Sequence, residues 1–225
     1  MFISMTDILP EPSLQTVATT ASQDQTSRLS RIQSVLPVLE KLFELYPRLF
    51  GTKFLPLKLG VFQELLERHP ENFKRDTLKV ALGVHTRSTR YLQSVADGGQ
   101  RHDLDGVAVE NVAPEHVHFA LLELFRRRQP RSKEDLRPEL RRQLVTAFEA
   151  SGLTRQDYLS RVQTKDADAN ALLEKALEQH GEKLAKNEAL LSAFENSGKT
   201  INEFAAIYGL DQHDVALVLA QKHKS

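Results

Sequence analysis

From residue 31 onward, apolar side chains recur at three- and four-residue spacing. Ile32, Val35, Leu36, Leu39, Leu42, Phe43 and Leu45 predict a helix over 31–45. Pro37 falls in its opening turns, where proline is tolerated, and Pro47 and Gly51 close it. Pro56 restarts the chain. A second helix is expected over 57–68, with Leu59, Phe62, Leu65 and Leu66 on one face and His69-Pro70 as its stop. Leu78, Val80, Ala81 and Leu82 predict a third helix over 75–84, with Gly83 near its end. Thr86 and Ser88 are natural N-caps for a fourth short helix reaching about Val95, broken by Gly98-Gly99. The stretch 101–109 then reads as a small hairpin turning at Asp105-Gly106. Pro114-Glu115 opens a fifth helix to about Arg128, with Val117, Ala120, Leu121, Leu124 and Phe125 inward.

Outside that unit the pattern changes. Residues 1–30 are rich in Ser, Thr, Gln and Pro with little periodicity, which predicts a disordered segment. Met5 is an alternative start. Residues 126–142 carry eight basic side chains against three acidic ones, and 130–142 reads as a basic linker. Next comes an internal repeat. LVTAFEASGLT at 144–154 parallels LLSAFENSGKT at 190–200, an offset of 46 residues, and Tyr158 then matches Phe204. Two copies are too few for a solenoid. A helical domain over 143–225 with pseudo-symmetric halves is expected.

Composition adds exclusions. The 225 residues hold 30 basic and 30 acidic side chains, so net charge says nothing about partners until its distribution is known. Residues 31–130 carry 15 basic and 12 acidic side chains, net +3, and make the mildly basic part. Cysteine is absent, which excludes disulfides, thiolate metal sites and a cysteine nucleophile. No apolar run reaches the roughly 18 to 20 residues of a membrane helix. The first residues lack the pattern of a secretory signal. A cytoplasmic protein without a membrane partner is the expectation.

No catalytic signature emerges. The chain lacks Gly-x-Ser-x-Gly, a phosphate-cradling Gly-x-x-x-x-Gly-Lys and Gly-x-Gly-x-x-Gly. His116 and His118 are two apart, on different helix faces, which suits a metal poorly; His180, His213 and His223 have no companions at ligand spacing. Asp103 and Asp105 are better explained by turn chemistry. No enzyme, no cofactor and no metal are expected. The basic positions say more. Lys74, Arg75 and Lys79 flank one helix start, and Arg87 and Arg90 another, with Thr86, Ser88 and Tyr91 among them. A helix start presents amide groups and partial positive charge to phosphate, and an aromatic ring can stack on an unpaired base. Solvated surface cations around a core tyrosine explain the same pattern, and the residues alone leave the two open.

Four ordered motifs shift that balance. PLKLGVF at 56–62, LKVAL at 78–82, TRSTRYL at 86–92 and RHDLDG at 101–106 resemble the RNA-binding domain of the ProQ/FinO family of bacterial RNA chaperones. The resemblance covers about 31–129, including the helix around His116. It implies a mainly α fold, a five-helix domain with a small β-hairpin, followed here by an all-helical C-terminal domain. It also implies binding of structured small RNAs and terminator-type stem-loops with single-stranded 3′ tails, with stabilisation of those RNAs and promotion of pairing. By motif, Lys58, Arg75, Lys79, Arg90 and Arg101 would contact phosphates, Tyr91 would line a pocket for the 3′ end, and Thr86, Arg87 and Ser88 would form the capping motif. Departures are Lys79 where arginine is common, Gly83 for a basic residue, His85 where tyrosine is frequent, and Thr89 where tryptophan occurs. The stretch 200–215 resembles a helix-turn-helix, but its second helix opens on Asp211 and Asp214, which repel phosphate. DNA reading, a protein partner for the C-terminal domain, and added RNA contact through the basic linker remain its alternatives.

Overall fold

The computed structural model describes residue 30 and residues 32–222. The expected disordered segment over 1–30 and the question of Met5 lie almost wholly outside the described residues. The chain divides into two compact units, one running to Val112 and one from Ala113.

The first unit opens with α1 (32–45), followed by α2 (Pro47–Phe50). Pro47 therefore starts a helical turn as well as ending one. It sits at the first helical position, where a missing amide costs nothing. Then come α3 (Val61–Arg68), α4 (Arg75–Thr86), α5 (Thr89–Ala96) and an antiparallel pair, β1 (Gln100–His102) and β2 (Ala108–Asn111). The spacing that suggested a helix from Leu57 is overridden for four residues. The His102 amide donates to the Pro56 carbonyl at 2.8 Å and the Lys58 amide donates to the His102 carbonyl at 2.8 Å, so this strip runs extended beside β1. Gly60 (φ 86°) then turns the chain into α3, a backbone geometry glycine adopts without strain. Leu42, Leu49, Leu65, Leu78 and Ala81 form the floor of this unit's core, all fully buried.

The hairpin connection follows the aspartate reading. The Asp103 carboxylate accepts from the amides of Asp105 (3.0 Å) and Val107 (2.9 Å), an Asx turn. Arg68 of α3 grips the Asp105 carboxylate with both terminal nitrogens at 3.0 Å. Both carboxylates therefore serve the turn.

The second unit contains α6 (Pro114–Arg128), a 3-10 turn at Gln129–Arg131, α7 (Arg137–Ser151), α8 (Arg155–Val162), α9 (Ala167–Ser197), α10 (Ile201–Tyr208) and α11 (Gln212–Lys222). The fifth helix expected from sequence is α6, and it packs on α7 and α8. The stretch read as a basic linker is structured. The Gln129 side chain accepts from the Leu136 amide at 2.8 Å and donates to the Glu134 carbonyl at 3.0 Å, and α7 begins at Arg137. The internal repeat is structural. α8 and α10 are offset by the same 46 residues, each entered through a left-handed glycine (Gly152, φ 63°; Gly198, φ 59°) and capped by a threonine, Thr154 or Thr200. Phe148 and Tyr158 meet edge-on at 5.3 Å; their counterparts Phe194 and Phe204 do the same at 5.3 Å.

His118 of α6 is buried, with its ring edge-on to Tyr158 at 6.0 Å. Burial holds its pKa down at about 4, and does the same for His85 in the first unit. Both unfold into water, where the ordinary value is 6.5. Between those two values the unfolded chain binds more protons than the folded one, so their contribution is whole above pH 6.5 and is lost as pH falls toward 4. Urea midpoints measured across that window should decline with acidity, and His85→Phe should flatten the first unit's share of the decline.

Candidate nucleic-acid interface

α4 and α5 are separated by a two-residue break, Arg87 and Ser88. Ser88 is extended (φ −67°, ψ 149°), and its hydroxyl oxygen accepts from the Tyr91 amide at 3.2 Å. It is the N-cap of α5. Thr86, expected to share that role, belongs to the last turn of α4. Its hydroxyl donates to the Leu82 carbonyl at 2.8 Å, the back-bond a helical threonine commonly makes, so it is turned away from the α5 start. Ser88→Ala should cost about 1 kcal/mol of stability in the first unit, read from chemical denaturation.

The positions around this cap fall into two levels. Arg87, Arg90, Lys79 and Arg75 are exposed. The Arg90 guanidinium lies over the Phe54 ring, 5.6 Å from its centroid, and Arg75 lies over Phe62 at 5.7 Å. Each ring orients a planar cation while leaving its outer face to solvent. Lys58 is half-exposed and 3.3 Å from Glu64. Arg87 passes beside Gly83, where a Cβ would sit 3.7 Å from a terminal guanidinium nitrogen.

Tyr91 and Arg101 form the lower level, at 6% and 7% exposure. The Tyr91 hydroxyl oxygen accepts from the Leu57 amide at 3.0 Å, and Arg101 donates to the Leu57 carbonyl at 2.9 Å. Three motifs distant in sequence thus close on the backbone of one buried residue. Arg101 also lies 3.9 Å from Glu110. These two side chains hold the framework of the face, whereas sequence reasoning gave Arg101 a place at the surface.

Sequence reasoning gave three residues no role here. His85 is buried within 4.7 Å of Phe50, 4.5 Å of Phe54 and 5.2 Å of Tyr91, ring centre to ring centre. It backs the same Phe54 that seats Arg90. Phe54 and Phe62 carried no periodic signal for this role; their proximity to arginines arises only on folding.

Arg75 and Thr86 mark opposite ends of α4, about 16 Å apart at 1.5 Å per residue. In the second unit much of the basic run is already paired. Arg126 meets Asp166 at 2.7 Å, Arg127 meets Glu123 at 2.8 Å, Arg137 lies 3.6 Å from Asp135, and Arg142 pairs with Glu139. At the start of α11 the Asp211 carboxylate accepts from the amides of His213 (2.7 Å) and Asp214 (3.2 Å). An acidic group already occupies the place a phosphate would take. Among the described residues no helix is long and apolar enough to cross a membrane.

Comparison with known proteins bears on the same stretch. Residues 32–137 match the model of the ProQ/FINO family. Among curated relatives, a protein named RNA chaperone ProQ from Shewanella frigidimarina is 41% identical over 93 residues, covering 39% of this chain and 45% of its own. Another of that name from Shewanella oneidensis is 43% identical over 89 residues, covering 37% and 41%. The chain therefore spans less than half the length of these relatives. A solved FinO-like RNA chaperone from Neisseria meningitidis is 28% identical, covering 39% of this chain and 90% of that one, with a TM-score of 0.36. The motifs that converge on Leu57 all lie inside the span, residues 32–137, that is similar to the ProQ/FINO family.

Proposed function

We propose that this protein is an RNA chaperone. Its family domain, about 31–129, binds structured RNA ending in a single-stranded 3′ tail, stabilises it and promotes its pairing with other RNAs. The observation that carries this reading is the two-level face at the α5 start: Arg87 and Arg90 outside, Tyr91 and Arg101 beneath, tied to one strip of backbone. A-form RNA hides its base edges, so a protein reads its backbone and its free ends. Exposed cations placed at both ends of α4 suit the backbone of a stem. The Ser88-capped start of α5 suits a terminal phosphate or hydroxyl. Lys58, Arg75, Lys79, Arg87 and Arg90 serve as the phosphate contacts, Ser88 holds the helix start, Tyr91 and Arg101 make the pocket floor, and Thr86 only finishes α4. DNA reading through α10 and α11 finds no support in their acidic junction.

The test is a gel shift of the full chain on a hairpin with a 3′ uridine tail. Arg90→Ala should weaken binding by about 1–3 kcal/mol, the range for a charge-assisted hydrogen bond, and should flatten the salt dependence. Removal of the tail should weaken the wild type further. Equal affinity for tailed and blunt hairpins would overturn the 3′-end reading, and equal affinity of Arg90→Ala and wild type would overturn the site.

A further inference from the structure

The internal repeat extends beyond the motif that reveals it. α7, α8 and the first half of α9 correspond, residue for residue at the 46-residue offset, to the second half of α9, α10 and α11. Ala169 and Leu173, buried in the first copy, correspond to Val215 and Leu219, which pack with Phe204 in the second. The two copies differ in what covers them. In the first, α6 packs across α7 and α8 and sets His118 against Tyr158. Leu140, Leu144 and Val162 are all buried there, Leu144 and Val162 completely. Their counterparts are Lys186, exposed; Leu190, half-buried; and Tyr208, 58% exposed. Ile207, Leu210 and Leu217 are exposed close by in sequence. The surface that α6 closes in the first copy lies open in the second.

Repeats stack because each leaves an apolar face that its neighbour must bury, and an end repeat needs a cap. We propose that the cap is a second copy of this chain, with the α10–α11 hairpins of two molecules covering one another about a twofold axis. Three features favour a like partner. The patch is apolar in both copies of such a pair, as a twofold interface requires. It carries both signs of charge, exposed Lys186 on α9 and exposed Asp214 at the α11 start, so an opposed copy offers each to the other. Around Phe204, Ala205 and Val215 only a handful of half-buried apolar residues complete the core. A core that small gains from association. The dimer stands whether or not the first unit binds RNA.

Light scattering during gel filtration, on the full chain, reads the mass directly. The wild type should elute as a dimer. Tyr208→Glu and Ile207→Glu should each shift it to the monomer mass, with the helical circular dichroism unchanged, since both side chains are exposed. A wild type that stays monomeric throughout the accessible concentration range overturns the proposal, even if another protein is found on this face. A dimer that persists in both charge variants overturns it too. Spin labels on Tyr208→Cys, in a chain without other cysteines, supply a second measurement. Coupling between copies supports the pairing, and its absence in a dimeric sample rejects this face as the interface.

Discussion

Arg101→Ala should abolish binding of a 3′-tailed hairpin and also cost the first unit about 2–4 kcal/mol. Both effects come from the contacts that hold this side chain beneath the face, the bond to the Leu57 backbone foremost. Arg101 is buried, and it donates to the Leu57 carbonyl at 2.9 Å. A hydrogen bond from a charged donor is worth about 1.5–3 kcal/mol, and leaving its buried acceptor unsatisfied moves the cost toward the upper end of that range and a little beyond. Without that bond the Pro56–Lys58 strip loses one of the ties that holds it beside β1, and the floor beneath the α5 start moves. Arg90→Ala is the counterpart. Its side chain is exposed over Phe54, so binding should fall while the unfolding midpoint stays put. Tyr91→Phe lies between them, since it strands the Leu57 amide but keeps the ring. Urea denaturation beside the gel shift separates the three. If Arg101→Ala were as stable as wild type while binding was lost, Arg101 would be a direct phosphate contact and the floor assignment would be wrong.

Tyr158→Ala should be the most damaging single change in the second unit, at about 3–5 kcal/mol, the usual range for deleting a large buried ring. Tyr158 is completely buried. It sits edge-on to Phe148 at 5.3 Å and to His118 at 6.0 Å, with its hydroxyl 3.5 Å from His118 Nδ1. Burial pushes its phenol up to about 12, so it stays neutral and needs no counter-charge. Tyr158→Phe removes only a long hydrogen bond and keeps the packing, so it should cost far less. A calorimetric trace in which the alanine and phenylalanine variants unfold together at the wild-type temperature would mean the ring is not a keystone of this core.

Much of the helical order was legible because it is written in near neighbours. Apolar spacing located α1, α4 and α6 within a few residues, and the cap at Ser88 with the break at Gly98-Gly99 located α5. Asp105-Gly106 located the hairpin, and a 46-residue offset located the repeat. The errors came where a distant partner outbid local preference. The apolar pattern places the start of the second helix at Leu57, yet the backbone at Leu57 and Lys58 pairs with His102, more than 40 residues away. Thr86 has the chemistry of a cap, but the helix before it runs two residues longer than its pattern, and its hydroxyl follows that helix. The candidate site was legible as a set of residues and not as a geometry.

By itself the amino-acid sequence determined the approximate places of most helices of the first unit, that Ser88 caps α5, and that basic groups gather around the α4 and α5 starts. These depend on interactions a few residues long, which the order of side chains encodes directly. Only the tertiary structure decided that Tyr91 and Arg101 lie below the surface, 34 and 44 residues from the Leu57 backbone they grip, and that Phe54 and Phe62 seat the arginines. It also decided that one copy of the repeat is covered and the other open. Burial depends on which elements meet across long stretches of chain, and no local pattern carries that information.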